Sequence, residues 1–167
     1  MKNLDEYTER CQALLDSLEI PYRFANISYN GRISTKWGYC KKIDRNRFII
    51  SIASILGDDN APEQAIMSVL LHEYLHTCPG CFNHGKKWKE YAKKIKKITG
   101  IKIKTSQSAD NLGIDSKYYI KCRNCKQKVW YTFRPRNCGK VCPYCGSRKL
   151  TCFYKEKNHD KERIWKR

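Results

Sequence analysis

The sequence has no run of eighteen apolar residues, which a helix needs to cross a bilayer, so we expect no membrane contact. Its first ten residues, MKNLDEYTER, lack the apolar stretch of a secretory signal peptide. We therefore expect a cytoplasmic protein, associated with the nucleoid if the source is a bacterium. Hydrophobic residues make up 41% of the 167 residues and charged residues 30%. The length predicts one ordinary domain plus a small module, and the composition excludes one large apolar globule. We expect the protein to be a monomer.

The ten cysteines are expected to be reduced, because cytoplasmic thiols rarely form disulfides. A secreted disulfide scaffold is the rival interpretation, but it requires the signal peptide that the sequence lacks. Six of the cysteines form pairs with the C-x-x-C spacing that is typical of metal ligands. The pairs are Cys78/Cys81, Cys122/Cys125 and Cys142/Cys145.

Acidic residues are scarce after residue 85. Residues 1–85 carry a net charge of −1, whereas residues 86–104 carry +8 and residues 117–167 carry +13. Such basic segments attract polyanions by releasing counterions from phosphates, although a solvated surface has the same composition. We therefore predict DNA as a partner. The candidate nucleic-acid contacts are Lys86, Lys87, Lys93, Lys94, Lys97, Trp130, Arg134, Arg136 and Arg148.

Hydrophobic periodicity predicts an α+β domain over residues 1–104. Apolar residues at helical spacing predict a helix over 3–19, and alternating or β-branched runs predict strands within 22–55. The Asn-Gly-Arg sequence at 30–32 is a hairpin turn signal between two of these strands.

Two further helices are predicted on either side of a stretch rich in histidine and cysteine. The first begins after Asp59 or Asn60, either of which can cap it, with Pro62 in its first turn. The second ends at Gly100, and lysines surround its apolar stripe. The stripe consists of Trp88, Tyr91, Ile95 and Ile98.

The chain changes character after a short alternating strand, IKIK, at 101–104. Residues 105–117 are rich in Ser, Asp, Asn and Gly, which predicts a linker. Short strands and cysteine pairs over 118–154 predict a zinc ribbon. Residues 155–167 form a charged tail that we expect to be frayed or helical.

The stretch HEYLHTCPGCFNH offers three histidines and two cysteines to a metal ion. His72 and His76 are four residues apart, so on a helix both imidazoles point from one face toward one ion. Glu73 can serve as general base toward a zinc-activated water and then as proton donor to the leaving amine. This spacing indicates a catalytic zinc site.

The third ligand of this site is open to several candidates. The metzincin pattern requires Gly three and His six residues after the second histidine, and the chain has Pro79 and Phe82 there. We favour His84, which lies just before the next helix, where the chain turns back. The alternatives are Glu90, Cys78 and Cys81. Two histidines with both cysteines would close the coordination sphere and make the site structural.

The second constellation consists of Cys122 and Cys125 followed by Cys142 and Cys145. Sixteen residues separate the two pairs, as in zinc sites with four thiolate ligands. Such a closed site helps to fold a module too small for its own core. Cys138 is an alternative ligand without the paired spacing. Aromatic residues and cations surround these cysteines, which suits base stacking but also describes an ordinary ribbon core and rim.

Taken together, these motifs resemble the SprT-like zinc metallopeptidases, whose eukaryotic relatives include the Spartan protease. The motifs are KWGYC at 36–40, HEYLH at 72–76, HGKKW at 84–88 and the cysteine ribbon, and they cover roughly residues 5–150. The combination is specific, whereas each motif alone is not. The resemblance implies a zincin-like domain with helices packed on a small antiparallel sheet, followed by a small β zinc ribbon.

The resemblance also implies roles for individual residues. His72, His76 and His84 would bind a catalytic zinc, Glu73 would be the acid/base, and the ribbon would hold a structural zinc. The family implies a metalloprotease that acts on proteins associated with or crosslinked to DNA. One alternative is a non-enzymatic DNA-binding protein with two structural zinc sites, and another is a metalloprotease with a dedicated protein target. The Cys78/Cys81 pair is not part of the family pattern.

Overall fold

The computed structural model of the chain describes residues 1–133, 135, 141–155 and 162–164. The chain divides into two compact units, Met1–Gly113 and Ile114–Arg167. Helices and a three-stranded sheet form the first unit, and a four-stranded sheet forms the second. The predicted α+β class with a C-terminal ribbon is confirmed. Among the described residues, no helix has the length and apolar character needed to span a bilayer.

The first sheet contains β1 (Ala25–Asn30), β2 (Gly38–Lys42) and β3 (Phe48–Ala53) in the order β1–β3–β2. The apolar strand β3 is central, and five of its six residues are buried. It runs parallel to β1 and antiparallel to β2, so the sheet is mixed and not wholly antiparallel. The hairpin predicted at 30–32 is wrong, because β3 and not β2 lies beside β1.

Helix α2 (Glu63–Leu75) is the central helix of the first unit. All seven residues from Ala65 to Leu71 are buried, as expected for a helix that is apolar on every side. Pro62 occupies the N-cap position, with no side-chain hydrogen bond to the helix. The predicted caps, Asp59 and Asn60, are therefore wrong, although the helix itself was predicted.

Helices α1 (Leu4–Ser17) and α3 (Lys86–Thr99) both contact α2. Helix α3 ends as predicted at Gly100, which adopts the left-handed conformation that favours glycine. The predicted apolar stripe is partly wrong, because Tyr91 is only half-buried and Ile98 is 64% exposed. The residues of α3 that are buried are Trp88, Ala92 and Ile95.

Residues 102–107, called the strap below, run along α2. The Ser68 hydroxyl donates a hydrogen bond to the Lys102 carbonyl at 2.9 Å, and Gln107 Nε2 donates to Ser68 Oγ at 2.7 Å. The strand predicted at 101–104 is wrong, because strap carbonyls bond to side chains of α2 and not to the sheet. A short helix, α4 (Ala109–Leu112), follows within the segment predicted to be a linker.

The sheet of the second unit contains β4 (Tyr118–Cys122), β5 (Lys128–Tyr131), β6 (Leu150–Lys155) and β7 (Glu162–Ile164). Its order is β5–β4–β6–β7, and every neighbouring pair is antiparallel. Because β7 pairs with β6, the expectation of a frayed or helical tail is wrong for residues 162–164.

Candidate metal centres

Three imidazole rings meet where α2 ends and α3 begins. His72 lies in the last turn of α2, His76 is its C-cap, and His84 precedes Gly85, the N-cap of α3. The Nε2 atom of His72 lies 3.2 Å from Nε2 of His76 and 3.1 Å from Nε2 of His84. The structure therefore brings together the three histidines that were predicted as ligands.

Two backbone carbonyls determine which nitrogen of the His72 and His76 rings faces the cluster. Nδ1 of His72 lies 2.9 Å from the Lys104 carbonyl oxygen, and Nδ1 of His76 lies 3.1 Å from that of Cys81. A carbonyl only accepts, so each Nδ1 carries the proton and each Nε2 presents a lone pair. Burial lowers the pKa of all three cluster histidines, that of His72 to about 4, which keeps the rings neutral.

A metal ion between the three Nε2 atoms would be bound by the nitrogens that face one another in this cluster. Two nitrogens bound to one tetrahedral zinc at ~2.05 Å lie about 3.3 Å apart, close to the separations in this cluster. Three neutral imidazoles also match the ligand set of a catalytic zinc, which keeps its fourth position open. The donors therefore fit zinc in both chemistry and spacing.

Trp88 packs against all three rings from the first turn of α3. Its ring centroid lies 4.9 Å from that of His72, 5.9 Å from that of His76 and 4.6 Å from that of His84. The side chain is only 1% exposed, so it restricts the orientations of the three imidazoles. The sequence analysis placed Trp88 only in an apolar stripe, although the HGKKW motif was a signal for this role.

The thiols between the second and third histidines do not belong to the cluster. Among the described residues, the histidines group without Cys78, Cys81 or the predicted alternative Glu90. Both thiols are buried, and the Cys78 thiol donates to the Tyr74 carbonyl at 3.7 Å. Burial raises the pKa of both thiols, that of Cys78 to about 12.

The CPGC sequence forms the turn that returns the chain toward His84. The Cys81 amide donates to the Cys78 carbonyl at 3.0 Å, and Gly80 has a φ of 78°. A positive φ at the third position of a turn favours glycine, and proline suits the second. The turn also presents the Cys81 carbonyl to His76. Its contribution to the site is therefore backbone geometry.

We expect the double variant Cys78→Ser/Cys81→Ser to bind as many zinc ions as the wild type, because neither thiol lies in the histidine cluster. Elemental analysis of purified protein after removal of loosely bound metal measures the count. The matched variant Cys78→Ala/Cys81→Ala controls for the effect of buried hydroxyls. Loss of one zinc in both variants would place the thiols in the coordination sphere and contradict this prediction.

Glu73 lines a pocket of about 260 Å³ together with His72. The Glu73 side chain is buried, which raises its pKa to about 7, while the nearby Lys36 ammonium acts in the opposite direction. A Cβ atom at Gly38 would lie 3.1 Å from Cγ and Oε1 of Glu73, tighter than ordinary contacts. The absence of a side chain at position 38 therefore leaves room for the carboxyl group.

The family model for the SprT-like family matches residues 5–107. This match spans more than half of the chain and includes the histidine cluster, Glu73 and the strap. The chain belongs to the SprT-like family. No curated protein matches the chain.

The ribbon of this SprT-like protein lies beyond the family match and holds a second set of metal donors. The sulfurs of Cys122 and Cys145 are 3.7 Å apart, and those of Cys125 and Cys142 are 3.6 Å apart. Sulfurs bound to a tetrahedral zinc at ~2.3 Å lie about 3.8 Å apart, so the four thiols fit zinc. The Ser147 amide lowers the pKa of Cys145 to about 6. Although the Gln127 amide acts in the opposite direction, burial and the other three thiols raise the pKa of Cys125 to about 12.

Each cysteine pair lies on a turn of similar geometry. The Lys126 amide donates to the Cys122 carbonyl at 3.1 Å, and the Gly146 amide donates to the Cys142 carbonyl at 2.9 Å. Lys126 and Gly146 both have positive φ, 64° and 69°. The alternative ligand Cys138 lies outside the described residues. Four thiols would complete the coordination of one ion, as in a structural zinc site.

Five of the predicted nucleic-acid contacts lie on α3. All five lysines are exposed, which suits contact with phosphates. The Lys94 ammonium, however, donates to the Leu18 carbonyl and ties α3 to the C-cap of α1. Contact with nucleic acid stays a prediction for the other four lysines, which are Lys86, Lys87, Lys93 and Lys97.

The other predicted contacts lie in the second unit. Trp130 on β5 is 47% exposed, and the Lys128 ammonium lies 5.9 Å from its ring centroid. Arg148 is also exposed. An exposed aromatic beside a cation is typical of surfaces that stack on bases. Arg134 and Arg136 lie outside the described residues.

Proposed function

We propose that this SprT-like protein is a zinc-dependent endopeptidase that cleaves proteins bound or crosslinked to DNA. The observation that carries the proposal is a set of three clustered imidazole nitrogens beside a buried carboxyl group that lines a pocket. A structural zinc has four protein ligands, whereas the described residues supply three to this cluster. The arrangement therefore favours a peptidase over a non-enzymatic DNA-binding protein with two structural zincs.

In the proposed reaction, the zinc ion and the side chains of the protein have different roles. When bound, zinc polarises the scissile carbonyl and makes the attacking water more acidic. Glu73 accepts the proton of that water and delivers it to the leaving amine. The buried carboxyl group lines the same pocket as His72, where it can take up this proton and return it. Trp88 and the carbonyls of Lys104 and Cys81 hold the imidazoles in place for this reaction.

The proposed DNA contacts are the α3 lysines and the surface around Trp130. Exposed cations on α3 would neutralise phosphates and release counterions. An exposed indole beside Lys128 suits stacking on the bases of a single strand. Binding to the same DNA as the protein substrate would raise the local concentration of that substrate at the peptidase site.

A protein crosslinked to single-stranded DNA is expected to be cleaved faster than the same protein without DNA. Neutralising four α3 lysines to glutamine should remove this advantage, because each lost phosphate contact reduces the salt slope of binding by about 0.7. The variant carries Lys86→Gln, Lys87→Gln, Lys93→Gln and Lys97→Gln. Cleavage rates and DNA affinity, measured at two salt concentrations, test the prediction.

The control for this experiment removes four exposed cations from another part of the first unit. It carries Arg32→Gln, Lys41→Gln, Lys42→Gln and Arg45→Gln, all at exposed positions, and should retain the advantage. Equal cleavage of the free and the DNA-linked protein by the wild type would contradict the DNA part of the proposal. That result would indicate a peptidase with a dedicated protein target.

A further inference from the structure

The pocket beside His72 and Glu73 has a mostly polar lining. It is formed by the residues that lead into β2, by α2 and by the strap. The residues before β2 and the strap contribute three hydroxyl groups, one amide, one indole and one ammonium group to the lining. They are Thr35, Lys36, Trp37, Thr105, Ser106 and Gln107.

Hydrogen bonds fix the wall of this pocket. The Trp37 indole donates to the Gln107 carbonyl at 3.0 Å, and the Gln107 amide nitrogen donates to Ser68 Oγ at 2.7 Å. Ser68 in turn donates to the Lys102 carbonyl, so the strap, α2 and the start of β2 are tied together. The pocket is therefore formed before a ligand arrives, which lowers the entropic cost of binding.

Lys36 is the one lysine or arginine that lines the pocket. Its ammonium lies 4.5 Å from the Tyr39 ring centroid, and no salt bridge among the described residues involves it. Glu73 is the one acid in the lining, and it is only 6% exposed. The Lys104 ammonium in the strap is bonded to the side chain of Asn111 at 2.7 Å. The pocket thus combines neutral hydrogen-bonding groups with a cation that acts on the Glu73 carboxyl group but forms no salt bridge among the described residues.

We propose that this pocket is a specificity subsite that receives an aspartate or glutamate side chain adjacent to the cleaved bond, with Lys36 as its counter-ion. The inference rests on the proposed peptidase function and extends it to the substrate sequence. An apolar side chain would leave the polar lining without hydrogen bonds, and a basic one would be repelled by Lys36. A phosphate of DNA is the other anion that Lys36 could meet. The peptide is favoured because the pocket adjoins Glu73, beside which the reacting bond must lie.

Cleavage-site mapping tests the subsite. The zinc-loaded full chain digests a mixture of peptides of random sequence, and mass spectrometry identifies the cuts. We expect Asp and Glu to be enriched at one position next to the cut. Lys36→Gln should reduce this enrichment roughly fivefold, as for loss of one exposed ion pair, and Lys36→Glu should shift the preference to Lys and Arg. The control Lys42→Glu makes the same charge change on β2, outside the pocket lining, and should keep the acidic preference.

Peptide binding without turnover provides a second measurement. A fluorescent peptide with Glu at the preferred position should bind the zinc-loaded Glu73→Gln protein roughly fivefold more tightly than the same peptide with Gln. Adding Lys36→Gln should abolish this difference. If the Glu73→Gln protein with Lys36 intact binds the two peptides equally tightly, the proposed subsite is wrong.

The remaining outcomes distinguish failure of the subsite proposal from failure of the peptidase proposal. Cleavage without an acidic preference, or an unchanged preference in Lys36→Glu, would overturn the subsite and leave the peptidase in place. Failure of the wild type to cleave any peptide or DNA-linked protein would overturn both. Weaker binding of Lys36→Glu to a single-stranded oligonucleotide, with an unchanged cleavage preference, would assign Lys36 to phosphate and overturn the subsite.

Discussion

Glu73→Gln is expected to abolish cleavage while zinc content and fold stay unchanged. The amide has the size of the carboxyl group but cannot accept the proton of the attacking water, and losing such a group lowers rates by about 10²–10⁴-fold. The carboxyl group is buried and its pKa is raised to about 7, so folding disfavours its charged form. The neutral amide should therefore not destabilise the fold at pH 8. Peptide cleavage rates, elemental analysis and thermal unfolding measure the three properties.

The matched control is Glu63→Gln, the same change on the same helix. Glu63 is exposed at the start of α2, where its only described ion pair is a surface contact with Arg10 at 3.4 Å. Its loss is expected to change neither the cleavage rate nor the zinc content, because an exposed ion pair contributes ~1 kcal/mol or less. If Glu73→Gln cleaves at the wild-type rate, another group is the base and the proposed mechanism is wrong.

The double variant Cys122→Ser/Cys125→Ser is expected to lose one zinc ion and to unfold the second unit. Cys122 ends β4 and Cys125 faces the thiol of Cys142, so the change removes half of the four-thiol set. Structural zinc in small domains contributes about 10–16 kcal/mol of apparent binding energy, more than a sheet of this size can replace. Amide signals of the second unit in NMR spectra should collapse to unfolded positions, while those of the first unit remain.

Cys40→Ser is the control for this variant. Cys40 is a free cysteine on β2 of the first unit and lies outside both metal clusters of the described residues. Its zinc content and NMR spectrum should match those of the wild type. An unchanged zinc count in Cys122→Ser/Cys125→Ser, with the second unit still folded, would show that the ribbon does not depend on these thiols.

The two clusters of possible metal donors could be predicted from the sequence because the spacing within each motif is local. The four-residue spacing of His72 and His76 on a helix, and the C-x-x-C pairs of the ribbon, place donor atoms together whatever the rest of the fold does. The third histidine was harder, because its position depends on a turn. In the structure both neighbouring thiols are buried, and His84 groups with the other histidines and not with them.

Other parts could not be predicted because they depend on contacts between distant segments. Strand β3 lies between β1 and β2 because it is the most apolar of the three strands and takes the buried central position. The turn residues at 30–32 do not indicate this order. The carbonyls that orient His72 and His76 belong to Lys104 and Cys81, and a backbone acceptor has no residue signature. The close approach of Gly38 to Glu73 likewise appears only when β2 and α2 are brought together.

The backbone contact between the strap and His72 has a consequence for how the chain can vary. The Lys104 carbonyl is the group that holds Nδ1, whereas the Lys104 side chain extends to Asn111 on the surface. Any residue except one that disturbs the backbone can therefore occupy position 104. A deletion of one residue between Gly100 and Lys104 would instead present a different carbonyl, or none, to the ring. At this position the spacing of the chain is constrained, and the identity of the residue is not.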